Sequence, residues 1–309
     1  MHYKSVIFPF TALVGQELLK KALLINAIDP SIGGVLIKGD KGTGKSTAVR
    51  SLSHILPEIQ VVKGCNFNCH PLDRTLMCQS CQQEYNENGK LPSVKTPMKI
   101  IDMPVSATED MVIGTIDIKK AIKEGVKALE PGILARANRN ILYIDEVNLL
   151  DNHLVNILLD SAAMGVNIVE REGISLYHPS RFVLVGTMNP EEGGLRPQIL
   201  DRFGLSVEVR ALESKEERLK IMKYRQEFDQ NPDNFEEKFH KKQENLKIEI
   251  INAQKILPTV KIPQEMLEKM VEITAGLGIK THRADIVLEK TSRVLSALCL
   301  PGEVFSNTM

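Results

Sequence analysis

A glycine-rich stretch near the N-terminus combines residue types and spacing that suit phosphate binding. It reads Gly39-Asp40-Lys41-Gly42-Thr43-Gly44-Lys45-Ser46, is followed by Thr47, and matches the pattern G-x-x-x-x-G-K-[ST]. Its glycines allow backbone N–H groups to surround a phosphate, and a helix that begins at its end adds a partial positive charge. Lys45 is expected to reach the β- and γ-phosphates, and Ser46 to ligate Mg²⁺. We therefore predict that residues 39–47 bind ATP with Mg²⁺; the alternative is a glycine turn that binds no nucleotide.

An acidic pair, Asp145-Glu146, ends the apolar run of residues 140–144. Such a run predicts a buried strand, and ligands of open α/β sheets bind at the carboxyl ends of the strands. Asp145 is expected to hold Mg²⁺ through water, and Glu146 to accept a proton from the water that attacks the γ-phosphate. The number of residues between the glycine-rich stretch and the acidic pair, with a predicted strand between them, strengthens this interpretation.

Two further residues follow the next predicted strand, residues 181–186. Asn189 stands at its tip, where a polar side chain can orient the attacking water; the alternative is that it only caps a turn before Pro190. Arg202 carries a guanidinium that could reach the γ-phosphate of a neighbouring subunit and stabilise transition-state charge. Its alternative is an ion pair within the chain, with Asp201 or a nearby carboxylate.

Four of the five cysteines cluster as Cys65-x₃-Cys69-x₈-Cys78-x₂-Cys81 within residues 57–98, a polar segment that looks inserted. Four thiolates on a short insertion suit a tetrahedral Zn²⁺, which would substitute for a hydrophobic core. An iron–sulfur cluster or unmetallated thiols are the alternatives. His70 adjoins Cys69 and is a possible substitute ligand. Cys299, on an apolar helical segment, is predicted to lie in the core.

Composition excludes some classes of protein. The 309 residues include 39 basic and 39 acidic side chains, so the net charge does not point to nucleic acid. No apolar run approaches the roughly 18 residues that a membrane helix needs, and the N-terminus does not resemble a signal peptide. We expect a cytoplasmic protein without a membrane span.

The order of predicted elements indicates two domains. Residues 1–213 alternate strands and helices, which predicts an α/β domain with a parallel sheet, hairpins at 107–118 and 165–176, and a helix at 119–129. Residues 214–300 contain no clear strand, and we predict that residues 214–309 form a small all-helical lid. Its helices are expected at 215–228, 235–256, 263–275 and 283–300.

Taken together, these motifs resemble the AAA+ ATPases, and more specifically subunit I, the smaller ATPase subunit, of magnesium chelatase and its cobalt-chelatase relatives. The blocks that carry the resemblance are Pro104–Thr115, Leu129–Ala137, Tyr143–Leu150, Val169–Gly173 and Leu195–Gly204. The resemblance implies a ring, usually a hexamer, with ATP between neighbouring protomers. It also implies that Asn189 is the sensor-1 residue, Arg202 the arginine finger and Arg283 the sensor-2 arginine. Without the resemblance, Arg283 would be interpreted as a surface residue in the first turn of the last helix.

The resemblance also implies partners and a pathway. The motor would work with an integrin-domain chelatase subunit and a large porphyrin-binding subunit that inserts the metal into a tetrapyrrole, in chlorophyll or cobalamin biosynthesis. The choice between Mg²⁺ and Co²⁺ stays open. Relatives usually continue with further lid helices, so the lid of this chain is either naturally short or truncated. The alternative function is a remodelling or nucleic-acid-translocating ring of the MoxR or MCM type. Nucleic-acid translocation requires basic pore hairpins, whereas the predicted hairpin at 107–118 is acidic or neutral and the one at 165–176 is mixed in charge. We therefore expect no nucleic-acid partner.

Overall fold

Short apolar segments form the strands of a central sheet in the computed structural model, which describes residues 7–116, 129–171 and 174–299. Five strands lie in the order β11-β1-β10-β7-β4, and the pairs β10–β7 and β7–β4 are parallel. Further strands form three two-stranded antiparallel sheets, β2–β3, β5–β6 and β8–β9. The strands are β1 Val35–Lys38, β2 Ile59–Val62, β3 Ser93–Thr96, β4 Ile100–Met103, β5 Thr115–Ile116, β6 Leu129–Glu130, β7 Ile141–Ile144, β8 Val166–Arg171, β9 Ile174–Pro179, β10 Val183–Met188 and β11 Leu205–Glu208.

Helices connect these strands and follow the last of them. Helix α1 Glu17–Ile28 precedes β1, and those between the strands are α2 Lys45–Leu52, α3 Gln79–Asn88, α4 Glu109–Ile113, α5 Ile133–Ala137, α6 Asn152–Met164 and α7 Pro197–Leu200. Those after β11 are α8 Lys215–Gln230, α9 Pro232–Ile256, α10 Gln264–Gly276 and α11 His282–Leu298. The predicted fold class, a parallel sheet flanked by helices with C-terminal helices after it, is confirmed.

The contacts divide the chain into two compact units. The first contains the described residues of Met1–Val35, Gly42–Pro57 and Gly204–Met309, and the second those of Leu36–Lys41 and Glu58–Phe203. This division passes through the glycine-rich stretch, whereas the sequence places a domain boundary at residues 213 and 214. That boundary stays a prediction.

Each unit has its own core. In the second unit, the buried strands β7 and β10 pack with α5 and α6 through aliphatic side chains such as Leu142, Leu184 and Leu158. In the first, the rings of Phe228 of α8 and Phe235 of α9 pack against Phe8, each with a centroid distance of 5.3 Å. Apolar burial of this kind is the main stabilising contribution to either unit.

The hairpin predicted at 107–118 is wrong for the residues of that segment that the structure describes, 107–116. Thr108 caps α4 by accepting a hydrogen bond from the Met111 N–H, and Glu109 and Asp110 favour the N-terminus of the same short helix. Residues 115–116 then pair with 129–130 rather than with a strand inside 107–118. Most of the helix predicted at 119–129 lies outside the described residues, and Leu129 belongs to β6.

The predicted hairpin at 165–176 is confirmed, because β8 and β9 pair along their full length from Val166↔Pro179 to Arg171↔Ile174. Its turn, Glu172-Gly173, lies outside the described residues. The four C-terminal helices are also confirmed to within a few residues. Cys299 follows α11 and is exposed, so its predicted core position is wrong. Among the described helices, we find none that is both long and apolar enough to cross a bilayer.

Candidate functional site

The glycine-rich stretch begins at the carboxyl end of β1. In the second unit, the Gly39 N–H donates to the Met188 carbonyl at 3.1 Å, which joins the start of the loop to the end of β10. Gly39 has φ 155°, a conformation that favours glycine. Asp40 and Lys41 follow and are exposed.

In the first unit the stretch continues as an open loop that leads into α2. Gly42 and Gly44 have φ of 82° and 84°, and a Cβ atom at either would meet nothing within 4 Å. Gly44 is the N-terminal cap of α2, which starts at Lys45 and runs for eight residues. Open space beside left-handed glycines at a helix N-terminus fits a bound phosphate, with Thr43, Lys45, Ser46 and Thr47 beside it in sequence.

The side chain of Asp145 is held at the carboxyl end of β7. Its Oδ1 accepts hydrogen bonds from the Thr187 hydroxyl at 2.6 Å and from the Tyr143 hydroxyl at 2.9 Å. Both donors are buried, whereas Asp145 itself is exposed. Two buried donors on one oxygen fix the carboxylate, which fits a ligand of hydrated Mg²⁺.

The backbone of Glu146 is strained. Its φ and ψ are both 55°, in the left-handed region that non-glycine residues seldom adopt. The Glu146 N–H donates to the Thr187 hydroxyl oxygen at 3.2 Å, so one hydroxyl holds both members of the acidic pair. This hydrogen bond keeps Glu146 at the edge of the sheet, where a general base is expected.

Lys41 connects the glycine-rich stretch to two carboxylates of the second unit. Its Nζ lies 2.5 Å from Glu192 Oε1 and 3.5 Å from Glu146 Oε1. The hydrogen bond to Glu192, with the charges of both carboxylates, raises the pKa of Lys41. The lysine therefore stays charged at neutral pH, beside the predicted general base.

Asn189 caps the short 3₁₀ turn Pro190–Glu192, because its Oδ1 accepts from the Glu191 N–H at 3.2 Å. Asn189 therefore does cap a turn, which was the alternative role considered for it from the sequence. The capping bond engages the carbonyl oxygen of the amide, whereas orienting a water or a phosphate would use the amide N–H group. Asn189 is buried at the end of β10, and its water-orienting role stays a prediction.

The two predicted arginines lie in different units. In the second unit, Arg202 forms an ion pair with Asp160 of α6, which is the kind of intramolecular alternative that the sequence left open. In the first unit, Arg283 lies in the first turn of α11 and is partly buried. These positions do not show whether either arginine contacts a nucleotide, so the arginine-finger role of Arg202 and the sensor-2 role of Arg283 stay predictions.

The four clustered cysteines converge on one point of the insertion. Their Sγ atoms all lie within 4.8 Å of one another, and Cys69, Cys78 and Cys81 are buried. Cys65 and Cys69 lie on the turn after β2, while Cys78 caps α3 and Cys81 lies in its first turn. The convergence fits one metal ion, because four sulfurs so close together satisfy a tetrahedral coordination shell.

Hydrogen bonds in the cluster prepare the sulfurs for a cation. The Phe67 N–H donates to Cys65 Sγ at 3.4 Å and the Cys78 N–H to Cys69 Sγ at 3.0 Å. Hydrogen bonds among the thiols, above all the one between Cys65 and Cys69, lower the pKa of the Cys65 thiol and raise that of the Cys69 thiol. His70 is not a member of the cluster: its Nδ1 accepts from the backbone N–H groups of Leu72 and Asp73.

Three residues around the acidic pair were not singled out from the sequence. Tyr143 lies in a predicted strand and Thr187 directly follows another. The only signal in the sequence was a polar side chain two residues before Asp145 and two residues before Asn189. Glu192 lies in a loop, and its distance to Lys41 depends on the fold. In a strand that is buried on both faces, apolar and polar residues do not alternate regularly, so the sequence does not show which face the hydroxyls of Thr187 and Tyr143 occupy.

Residues 73–199 match the family model described as magnesium chelatase, subunit ChlI. The chain is 57% identical over 297 residues to the magnesium-chelatase subunit ChlI homolog of Methanocaldococcus jannaschii, covering 96% of this chain and 80% of the relative. It is 54% identical to the magnesium-chelatase subunit ChlI of a Synechocystis species, covering 95% and 82%.

A structure agrees with these sequence matches. A cryo-EM-based structure of the complex between subunits BchI and BchD of magnesium chelatase contains a chain that is 42% identical to this one. The TM-score is 0.59, with 94% of this chain and 95% of that chain covered. This chain belongs to the magnesium chelatase subunit ChlI family.

Proposed function

We propose that this chain is the ATP-hydrolysing motor subunit of a magnesium or cobalt chelatase, and that its ATPase activity drives metal insertion into a tetrapyrrole by a separate large subunit. The observation that carries the proposal is the acidic pair Asp145-Glu146 at the carboxyl end of β7, fixed by Thr187 beside Lys41 of the glycine-rich stretch. Such a pair holds the cation and prepares the attacking water of a nucleoside triphosphatase.

Each predicted residue has a role in this chemistry. The backbone of residues 39–44 and the Lys45 ammonium would hold the β- and γ-phosphates, while Ser46 and Asp145 would hold Mg²⁺, which neutralises phosphate charge when bound. Glu146 would accept the proton of the attacking water, which Asn189 would help to orient. Arg283 and the Arg202 of a neighbouring protomer would balance the negative charge of the transition state.

The proposal includes an assembly. A ring, of six copies by analogy with the family, would bring Arg202 of one copy to the nucleotide of the next. The cryo-EM relative is in complex with a second subunit, BchD, which supports a similar integrin-domain partner for this chain. A large porphyrin-binding subunit would complete the chelatase. The Arg202–Asp160 ion pair would then rearrange or bridge to the neighbouring copy.

We also propose that the four-cysteine cluster binds a metal ion, on the support of its convergent sulfurs. Thiol ligands persist in a reducing compartment, which favours a cytoplasmic location for the protein.

The experiment that tests the motor function has two stages. First, the purified chain should hydrolyse ATP only with Mg²⁺, and Lys45→Ala should abolish the activity because it removes the cation that grips the phosphates. Second, mixing the chain with its two partner subunits, porphyrin and Mg²⁺ or Co²⁺ should give ATP-dependent metal insertion, measured by the absorption spectrum. ATPase activity that rises with DNA, without metal insertion, would favour the translocase alternative.

A further inference from the structure

The insertion that carries the cysteines is a small folded body with its own core. Strands β2 and β3 pair at its base, from Ile59↔Thr96 to Val62↔Ser93. Its core consists of Val62, Met77, Leu91 and the buried cysteines, with Phe67 and Tyr85 packed against them. So few apolar side chains are too small a core for independent stability, which is the setting in which a bound metal ion substitutes for one.

The spacing of the sulfurs distinguishes one ion from an iron–sulfur cluster. A tetrahedral Zn²⁺ with Zn–S bonds of about 2.3 Å holds its sulfurs about 3.8 Å apart. In a two- or four-iron cluster, thiolates on different irons are held roughly 6 Å apart. The Sγ atoms here all lie within 4.8 Å of one another, and those of Cys65 and Cys78 are 3.9 Å apart. This spacing fits a single ion.

Zinc is the ion that the surroundings favour. Four thiolates suit Zn²⁺, which binds such ligands more tightly than Fe²⁺ does. The resulting negative charge is offset by the N-terminus of α3 and by the N–H groups of Phe67 and Cys78, which point at Sγ atoms.

The turn between Cys65 and Cys69 is fixed to the body of the second unit. The Asn138 side chain donates to the Phe67 carbonyl at 2.7 Å, and the Asn68 side chain donates to the Asn138 carbonyl at 3.3 Å. Arg139 donates to the Asn68 carbonyl at 3.3 Å and to that of Gln60 at 2.5 Å. The cysteine turn is therefore not a free surface loop, because hydrogen bonds join its backbone to Asn138 and Arg139, just before β7.

The same turn supports the β8–β9 hairpin. The Phe67 ring stacks on His178 of β9, with centroids 4.9 Å apart and planes 23° apart. The buried His178 accepts from Asn167 of β8 at 3.0 Å, and Asn167 also donates to the Ile113 carbonyl of α4 at 2.9 Å. On the other side of the insertion, the Tyr177 hydroxyl donates to Gln82 of α3 at 3.4 Å. A continuous series of contacts thus runs from the sulfurs to the hairpin and to α4.

We infer that the four cysteines hold one Zn²⁺ ion, and that the zinc-bound turn positions the β8–β9 hairpin through the stack of Phe67 on His178. Without the ion, the cysteine turn keeps its hydrogen bonds to Asn138 and Arg139 but loses the metal–sulfur bonds at Cys65 and Cys69, so the Phe67 ring is held less firmly against His178. The β8–β9 hairpin stays paired in the folded protein but opens more often, so its amides exchange faster. The inference rests on the metal binding proposed above and is independent of the ATPase function.

The test measures metal content and hydrogen exchange of the nucleotide-free protein. The purified chain should contain about one zinc per chain and neither iron nor acid-labile sulfide, and cobalt substituted for the zinc should give the visible bands of tetrahedral thiolate coordination. Cys78→Ser combined with Cys81→Ser should lose the zinc. Iron with sulfide, or no metal in protein purified under reducing conditions, would overturn the zinc assignment.

The variant Phe67→Ala tests whether the cysteine turn supports the hairpin while the zinc ligands stay intact. It also gives an answer if the cysteine variant fails to fold. It should keep the zinc and yet raise amide exchange in residues 166–171 and 174–179 by about tenfold, since a stacked ring pair is lost. Leu72→Ala is the matched control, because Leu72 is a large apolar residue of the same insertion that is 66% exposed. Unchanged hairpin exchange in Phe67→Ala, or an equal rise in Leu72→Ala, would overturn the supporting role even if zinc is present.

Discussion

The Thr187 hydroxyl donates a 2.6 Å hydrogen bond to Asp145 Oδ1. The same oxygen of Thr187 accepts the Glu146 N–H, at 3.2 Å. One buried side chain on β10 therefore orients both the predicted ligand of Mg²⁺ and the predicted general base at the end of β7. Because parallel neighbouring strands end at the same edge of the sheet, this connection follows from the register Val185↔Tyr143 and Gly186↔Ile144.

Replacing Thr187 by valine should impair ATP hydrolysis without unfolding the chain. Valine has nearly the same shape but lacks the hydroxyl, so the Glu146 N–H loses its acceptor and Asp145 loses one donor. A buried polar group left without its partner costs about 1–3 kcal/mol. We expect kcat to fall roughly 10- to 100-fold, with a higher Mg²⁺ requirement. The measurement is the ATPase rate at several Mg²⁺ concentrations.

Thr187→Ser is the matched control, because it retains the hydroxyl and should keep most of the activity. Equal rates for the valine and serine variants would show that the two hydrogen bonds have no part in catalysis.

Glu146→Gln should keep ATP binding but lose most hydrolysis. Glutamine has the same shape and the same backbone, so the strained φ of 55° and the bond to Thr187 are expected to persist. It cannot accept the proton of the attacking water, and a general base contributes about 10²- to 10⁴-fold to a rate. Nucleotide binding measured by fluorescence and turnover measured by phosphate release separate the two effects. Turnover at the wild-type rate would remove Glu146 from the mechanism.

The sequence predicted the fold class and the identity of the motif residues because local patterns determine them. A glycine-rich stretch between strand and helix, and an acidic pair after an apolar run, both depend on neighbours within a few residues. The capping of α4 by Thr108 is also local, yet the alternation of apolar and turn residues around Gly114 suggested a hairpin instead. In a segment of five helical residues, the two periods are hard to distinguish.

What the sequence did not predict depends on contacts between distant segments. Thr187 meets Asp145 across 42 positions, Arg202 meets Asp160 across 42, and Phe67 meets His178 across more than 100. Such pairs follow from sheet register and from the docking of an insertion, neither of which a single sequence specifies. The convergence of the four cysteines was predicted because the short spacing of their two pairs already restricts them.

Lys41 and Glu192 should have opposite effects on ATP binding. Lys41→Met removes a cation from the phosphate-binding stretch, whereas Glu192→Gln removes an anion that lies 2.5 Å from that cation. Because both groups are partly exposed, we expect changes of about two- to fivefold in the Kd for ATP, with weaker binding by Lys41→Met and tighter binding by Glu192→Gln. The contrary result would be a tighter Kd for Lys41→Met or a weaker one for Glu192→Gln.

The pH dependence of this effect has a definite sign. The pKa of Lys41 is raised, so its charge is present below the ordinary lysine pKa and is lost only as the pH rises above that value. The difference between Lys41→Met and the wild type should therefore stay constant from about pH 6.5 to 9. Isothermal titration across this range is the measurement, and a difference that disappears below pH 9 would contradict the assigned charge state.

Gly204 is required by close packing within the first unit. A Cβ atom there would lie 2.0 Å from the Ile32 carbonyl oxygen, and backbone cannot move aside as a flexible side chain can. Gly204→Ala should lower the free energy of unfolding by about 1–3 kcal/mol and reduce the Tm by several degrees. Gly194→Ala, where a Cβ would meet nothing within 4 Å, is the control and should leave the Tm unchanged. Equal Tm values for both variants would exclude this packing constraint.

The shared active site predicts that two inactive variants restore each other. Lys45→Ala removes the cation that grips the phosphates, and Arg202→Ala removes the guanidinium proposed to act on the neighbouring copy. In mixed rings at equal amounts, roughly one quarter of the interfaces combine an intact Lys45 with an intact Arg202, so about a quarter of the wild-type ATPase activity should return. The measurement is the ATPase rate against mixing ratio after the subunits exchange.

Asp160→Asn decides between this role and the ion pair that Arg202 forms within its own chain. If Arg202 acts only by holding Asp160, then Asp160→Asn should reduce activity as much as Arg202→Ala does, and no mixing ratio should restore it. If Arg202 acts on the neighbouring nucleotide, then Asp160→Asn leaves the guanidinium in place and should retain most of the activity, because an exposed ion pair contributes at most about 1 kcal/mol. A rate that stays at the level of the single variants at every ratio would therefore contradict a site shared between copies.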